Sequence, residues 1–449
     1  MSVRIARVAV AAPLHSLFDY RIPAAGGIAV GSRVRVPIGR PRTIAVVTAL
    51  LGHTEFPAEK LKPIETVLDF EPLLLQHDID FLTWVAGYYH HPPGEVIAAA
   101  LPLRLRKAEQ ALNPGGPCWR LTAAGLAQTA SPPARAPRQA ELLSWLGQRP
   151  HGEAASVELK SALPGSAATL RTLRAKGWIE ACTLTAVADR VVLSADSPRL
   201  NADQADVLAR MSGNLDTFSV SLLDGVTGSG KTEVYLRLAA EVLAAGGSVL
   251  VLVPEISLTP QLLRRFRTRL GDTVRVMHSG LSDSEREQTW HRLRLGLSRV
   301  LLGTRSSIFT PIADLGLVLV DEEHDPSFKQ TEGFRYSARD LAIVRAQRAN
   351  CPVVLGSATP SLESLRNAQT GRYRHLRLDR RAGGAQPPRV DLLDIRDQPL
   401  QSGMAQPLLD RVEAALGKGE QVILFLNRRG YAPVLSCFSC GWLSDCPRC

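Results

Sequence analysis

No run of apolar residues in this 449-residue chain reaches the ~18–20 that a bilayer core requires, which excludes a membrane-spanning helix. The N-terminus, MSVRIARVAVAAPLHSLFDY, lacks the charged, apolar and cleavage regions of a secretory signal. A cytoplasmic protein is expected. Internal repeats are absent too. Cysteine is scarce, with seven in all and four of those in the last thirteen residues, so the chain is not a small secreted domain built on a disulfide framework. Metal ligation is the expected use.

What is present is ordinary soluble composition, 45% hydrophobic and 21% charged, at a length that suggests roughly three domain-sized units. Fifty-three Lys and Arg against 43 Asp and Glu leave a formal charge of +10, which favours a polyanionic partner. A solvated Arg-rich face would give the same count. Motifs must decide.

Along the chain, β-branched alternation at 3–11, 33–36 and 44–49 between Gly and Pro clusters predicts a small β-rich domain, and 76–100 carries helical spacing. Residues 139–146 and 167–176 predict helices, with a strand over 177–187, an order that fits a winged-helix-like α/β module or a generic helical linker domain. From 198 the rhythm becomes strand, loop, helix, with short apolar strands at 218–223, 249–253, 300–302, 317–320 and 353–355. That predicts a RecA-like α/β P-loop lobe with a parallel sheet. A basic Gly/Pro-rich linker at 380–389 leads to a second candidate α/β unit at 406–426. The resulting division is 1–107, 108–197, 198–402, 403–436 and a cysteine segment, 437–449.

Gly225, Val226, Thr227, Gly228, Ser229, Gly230, Lys231 and Thr232 match G-x-x-x-x-G-K-[ST], preceded by a strand and followed by helical residues 233–245. Such a loop turns backbone N–H groups around phosphates at a helix N-terminus. Lys231 is expected to reach the β- and γ-phosphates of ATP, and Thr232 to hold Mg²⁺. Downstream, the apolar strand 315–320 delivers Asp321, Glu322, Glu323 and His324 at its carboxyl end, where open α/β sheets bind ligands. Asp321 is expected to hold the metal's water shell and Glu322 to activate the attacking water.

A P-loop followed by this acidic box resembles helicase superfamily two, in which two RecA-like lobes clamp ATP. Ser357 and Thr359, in the GSATPS segment 356–361, resemble that family's coupling motif, with His324 alongside. Gln204 stands where such motors contact adenine. The intervening segments VPEISLTP (253–260), HSGLS (278–282), GTRSS (303–307) and FLNRRGY (425–431) resemble the replication-restart helicases, the primosomal protein N′ family. That resemblance implies an ATP-driven 3′-to-5′ DNA helicase that recognises stalled or repaired forks and initiates primosome assembly. It also implies a monomer partnered by forked and single-stranded DNA, single-strand-binding protein and primosome proteins.

The same resemblance implies an aromatic-rich loop that senses single-stranded DNA, here Phe328, Lys329, Phe334, Arg335 and Tyr336. Aromatics can stack on bases while cations meet phosphates, although a buried aromatic cluster uses the same residues. In the front domain it implies a pocket for the 3′ end of a nascent strand, with Phe18 stacking on the base, Asp19 and Gly39 lining the pocket and Lys62 meeting phosphate. Unaided, these four read as a core Phe, a turn Asp, a turn Gly and a surface Lys.

Cys437, Cys440, Cys446 and Cys449 form two C-x-x-C pairs without histidine, which favours Zn²⁺ on thiolates. The family implies eight such cysteines and two zinc ions, as well as a complete second lobe bearing an arginine finger. On that basis a truncated motor that binds nucleotide and hydrolyses it poorly is expected. Two other readings stand beside the helicase: a non-catalytic module that binds fork DNA, and a superfamily-two translocase acting on duplex DNA or RNA.

Overall fold

A computed structural model describes residues 4–23, 27–39, 41–69, 71–107, 118–130, 133, 136–155, 159, 162–163, 165–182, 198–382, 389–396 and 398–425. They fall into two compact units, residues 1–385 and 386–449. Among the described residues no helix is long and apolar enough to cross a membrane.

The front of the first unit is an antiparallel sheet of β1 (Ile5–Val10), β2 (Phe18–Arg21), β3 (Arg33–Pro37), β4 (Arg42–Leu51) and β5 (Thr66–Val67), in the order β2-β1-β4-β3-β5. Alternation turns Val8, Val34, Val36 and Val47 inward, and all four are inaccessible to solvent. The helix predicted over 76–100 is two helices, α1 (Gln76–Tyr88) and α2 (Pro93–Ala99). Pro92 and Pro93 explain the break, because proline lacks the N–H that would continue α1 but suits the first turn of α2. Gly94 then lets α2 lie against β1, since a Cβ there would collide with the Val10 carbonyl.

A middle module follows, with β6 (Cys118–Leu121), α3 (Ala123–Ala130), α4 (Pro137–Gly147), β7 (Glu153–Ala155), α5 (Ala167–Ala175) and β8 (Ile179–Cys182). Its three strands run in the order β7-β6-β8, and Leu142, Leu143, Leu146 and Leu173 form the core beneath them. This is the winged-helix-like α/β arrangement. Cys118 and Cys182 are paired across β6 and β8 and joined as a disulfide. Strand register brings them together across 64 residues, and spacing in the sequence carries no sign of it.

The motor lobe begins with α6 (Ala202–Ser212) and β9 (Val220–Gly225). Then come α7 (Lys231–Ala244), β10 (Ser248–Leu252), α8 (Pro260–Leu270), β11 (Val274–Met277), α9 (Asp283–Arg294), β12 (Val300–Gly303) and β13 (Leu315–Asp321). It closes with α10 (Ala338–Arg348), β14 (Val353–Ser357), α11 (Leu362–Gln369) and β15 (Arg374–Leu378). Its seven strands are all parallel, in the order β11-β12-β10-β13-β14-β9-β15. The central strands are apolar throughout because helices cover both faces.

Front domain and motor share one core, since Phe81, Leu82, Val96 and Leu105 pack with Trp290, Phe309, Tyr336 and Leu341. The Trp290 indole N–H donates to the Ala100 carbonyl at 2.7 Å, fully buried. Beside it the inaccessible Glu287 carboxylate pairs with Arg104 at 3.1 Å.

In the second unit, the strand pair β16 (Leu400–Gln401) and β17 (Met404–Ala405) leads into α12 (Gln406–Gly417). Residues 420–425 show no regular secondary structure. The rest of FLNRRGY beyond Phe425 lies outside the described residues, as do Cys437, Cys440, Cys446 and Cys449.

Candidate active site and nucleic-acid interface

β9 hands the chain to the phosphate loop at Gly225, and α7 takes it up at Lys231. Gly228 and Gly230 between them hold φ of +79° and +87°, a region strained for any residue with a Cβ. Lys231 is buried and its Nζ donates to the Gly225 carbonyl at 2.8 Å. Ser229 Oγ is buried with no protein partner among the described residues, as expected of a hydroxyl that faces a ligand.

One loop expectation changes. The Val226 N–H donates to the Leu378 carbonyl at 3.2 Å and is not available to phosphate. Gln204 is buried and lines the cleft beside the loop. Its Nε2 donates to the Ser229 carbonyl at 2.8 Å, and its Oε1 accepts from the Asn201 N–H at 3.0 Å. The cause is the capping box of α6, which turns the Gln204 amide back onto the helix N-terminus and against the loop. Gln204 braces the phosphate loop, and Gly230 leaves room for it, because a Cβ there would strike the Gln204 amide.

β13 brings Asp321 and Glu322 to the same cleft, which has a volume of about 1080 Å³ and is also lined by Thr227, Ser229, Lys231 and Thr232. The Tyr235 hydroxyl donates to Asp321 Oδ1 at 3.1 Å. Burial, and then the neighbouring Glu322 charge, hold the Asp321 carboxyl above its ordinary 3.8, while Lys231 and the Tyr235 hydrogen bond pull it back. Glu322 itself sits at φ +50°, a strained backbone for a residue with a side chain.

A raised carboxyl pKa contributes stability that is fully present below the unfolded value near 3.8 and is lost as pH rises through the folded value. At neutral pH the charged Asp321 is therefore a cost to the nucleotide-free protein. Asp321→Asn is expected to raise the Tm of the nucleotide-free protein and to abolish the further rise that MgATP gives. A thermal scan with and without MgATP checks both.

The coupling residues meet. His324 Nδ1 lies 2.7 Å from Ser357 Oγ, His324 Nε2 lies 3.4 Å from Thr359 Oγ1, and the Thr359 N–H donates to Ser357 Oγ at 2.9 Å. Sequence reading passed over the residue between them and the cleft. Glu323, with an inaccessible side chain, accepts from the Ser361 N–H at 2.7 Å, Ser361 Oγ at 3.0 Å and Ser364 Oγ at 2.9 Å. Arg339 donates to it at 3.3 Å. One buried carboxylate thus joins the acidic box, the start of α11 and the start of α10.

The aromatic loop is arranged differently from expectation. Phe328 and Tyr336 are buried, and Phe334 is half-buried against Tyr89, His91 and Phe309. Burial pushes the Tyr336 phenol up to about 12. Lys329 and Arg335 alone of this set face solvent. An apolar core lies directly beneath the loop, and the large rings gain more there than in water.

In the front domain Phe18, Asp19, Gly39 and Lys62 line one pocket of about 270 Å³, together with Phe56 and Lys60. The Arg7 guanidinium donates to both Asp19 oxygens at 2.8 and 3.0 Å and holds that carboxyl below the usual range. The Thr54 hydroxyl, at 2.6 Å, adds to the effect. Gly39 has φ +61°, and its carbonyl accepts from Lys62 Nζ at 3.4 Å.

Residues 7–102, which contain this pocket, match the 3′ DNA-binding domain (3′BD) of PriA, and residues 201–368 match the DEAD/DEAH box helicase family. Over its whole length the chain is 43% identical to replication restart protein PriA of Haemophilus influenzae, covering 62% of that protein. The chain is similar to PriA across its full length. It is also 34% identical to PriA of Bacillus subtilis over 96% of this chain and 63% of the relative. To PriA of Chlamydia trachomatis it is 37% identical over 99% and 61%. It thus spans about three-fifths of the length of the PriA relatives it matches.

Proposed function

We propose that this chain supplies the ATP-binding lobe and the strand-end reader of a 3′-to-5′ DNA helicase that recognises stalled or repaired replication forks and opens primosome assembly. The observation that carries the reading is the convergence of Lys231, Thr232, Asp321 and Glu322 in one cleft, with His324 bridging from it to Ser357 and Thr359. The donor set fits the ligand. A lysine and inward N–H groups suit phosphate, the unpartnered Ser229 hydroxyl awaits an acceptor, and a threonine hydroxyl beside a carboxylate suits a hard cation.

In this reading Lys231 and the loop amides bind and orient the triphosphate, and Thr232 and Asp321 hold Mg²⁺. When bound, Mg²⁺ supplies neutralisation of phosphate charge. Glu322 orients the attacking water and takes its proton. His324 carries the state of the cleft to Ser357 and Thr359, while Gln204 keeps the loop from collapsing. The domain division given above is proposed with it. On their spacing Cys437, Cys440, Cys446 and Cys449 are proposed as thiolate ligands for Zn²⁺. The proposed partners are forked DNA, single-strand-binding protein and primosome proteins, in a cytoplasmic setting.

The strand-end reader is tested by fluorescence anisotropy on forks whose leading strand ends in a free or a blocked 3′ hydroxyl. The free end is expected to bind about tenfold more tightly, as loss of charge-assisted hydrogen bonds to Asp19 would give. Asp19→Ala is expected to erase the difference. Equal affinity for both forks in the unaltered chain would remove the pocket's assigned role. Affinity for either fork is also expected to fall steeply with added salt, since each neutralised phosphate contributes a slope of about −0.9 in log–log form. A flat salt response would contradict it.

A further inference from the structure

The middle module holds a group of side chains that neither the nucleotide cleft nor the 3′-end pocket uses. β6 lies between β7 and β8, with Cys118 opposite Ala155 on one side and Cys182 on the other, and with Arg120 opposite Glu153 and Glu180. Strand alternation puts Cys118, Arg120, Glu153 and Cys182 on one face of the sheet, while Leu121, Ala154 and Ile179 turn to the leucine core on the other. The two sulfurs and one Glu153 carboxylate oxygen all lie within 4.8 Å of one another. Cys118 is inaccessible to solvent, and Glu153 keeps only 8% of its surface exposed.

A carboxylate buried this deeply needs a counter-charge. Arg120 meets Glu153 at 3.3 Å but is drawn toward Glu180, to which it donates at 2.6 and 2.9 Å. With both cysteines reduced, three adjacent strands offer two thiolates and a carboxylate to one point, a donor set that suits a borderline-soft ion. A tetrahedral Zn²⁺ holds thiolate sulfurs at about 2.3 Å, and therefore roughly 3.8 Å from each other. Directly opposed cysteines with Cα atoms 5.0 Å apart reach that separation by side-chain rotation alone. Charge balances as well. Three negative ligands are met by a divalent ion and the Arg120 guanidinium, which leaves the site neutral.

We propose that Cys118, Glu153 and Cys182, when the cysteines are reduced, form a binding site for a thiophilic divalent ion, with zinc the fitting one and water completing its tetrahedron. The site is separate from the candidate ligands Cys437, Cys440, Cys446 and Cys449, and it does not depend on the chain being a motor. It joins all three strands of the module, whereas the disulfide joins β6 to β8 alone, and the binding free energy of the ion adds to the module's stability. The two states exclude each other. Oxidation forms the S–S bond with loss of both thiol protons and passes two electrons to an external disulfide such as oxidised glutathione, which is cleaved to two thiols. The ion then leaves, because the thiolate is the metal ligand.

The test uses the reduced whole chain, first stripped of metal by a chelator, and Co²⁺ as a coloured stand-in for zinc, read by thiolate-to-cobalt charge-transfer absorption. The unaltered chain is expected to take up one more equivalent of Co²⁺ than Cys118→Ser, since the C-terminal cysteines contribute equally to both. Glu153→Gln keeps both thiols and the shape of the side chain, so it reads the site even where Cys118→Ser does not fold. It is expected to bind that equivalent at least about tenfold more weakly, the scale already set by loss of an outer-shell partner. Treatment with oxidised glutathione, the 118–182 link being verified by peptide mass spectrometry, should remove the difference between the unaltered chain and Cys118→Ser. Equal uptake by the reduced unaltered and Cys118→Ser chains overturns the site, and unchanged affinity in Glu153→Gln overturns the carboxylate's place in it.

Discussion

Lys231→Ala is expected to weaken MgATP binding by roughly 10- to 100-fold, the scale of losing a charge-assisted hydrogen bond in a water-poor site. Two contributions act together. The Lys231 ammonium, buried and held by the Gly225 carbonyl, is the loop's one full positive charge. It also offsets the burial that raises the Asp321 carboxyl, so its removal favours a protonated, metal-poor Asp321. The loss should therefore be larger with Mg²⁺ present than with nucleotide alone. Calorimetric titration of both proteins, with and without Mg²⁺, measures it, and equal affinity would place the nucleotide away from Lys231.

Glu323→Ala is expected to destabilise the first unit by about 3–5 kcal/mol, the range for removing one partner of a buried, hydrogen-bonded ion pair. It strips the acceptor from Ser361, Ser364 and Arg339 at once, and no water has access to take its place. Glu323→Gln keeps one acceptor oxygen and should lose less. Urea denaturation followed by tryptophan fluorescence compares the three proteins. A midpoint for Glu323→Ala within experimental scatter of the unaltered chain would show that the four contacts carry no net stability.

The gathering of Lys231, Thr232, Asp321 and Glu322 in one cleft was legible in the sequence because the groups are local. Phosphate loop, acidic box and coupling segment are each a strand end plus a few following residues, and a parallel sheet puts all strand carboxyl ends on one edge. The apolar central strands were legible for the same reason, being buried on both faces. The edge strands β11 and β15 were not, because RHLRL and VRVM carry charged residues on their open side and show no apolar run.

What escaped depends on partners far away in the chain. Glu323 gains its meaning from residues 339, 361 and 364, and the Cys118–Cys182 bond from strand register. Gln204 was assigned by its position alone, and only the fold shows that its amide caps its own helix and bonds the Ser229 carbonyl. Phe328 and Tyr336 show the limit of composition: a row of aromatics and cations does not reveal which rings the core takes. Only the front-domain helix, with Tyr88 and Tyr89 packed beside the loop, decides that. The four pocket residues 18, 19, 39 and 62 came from family likeness alone, and the fold brings them to one cavity through the pairing of β1 with β2 and the turn after β3.

Hydrogen exchange read by mass spectrometry, with and without a non-hydrolysable MgATP analogue, tests the central claim most directly. The expected result is slowed exchange in residues 226–233 and 321–324, extending through Glu323 and His324 to 357–361. Unchanged exchange across those segments at saturating nucleotide would contradict it.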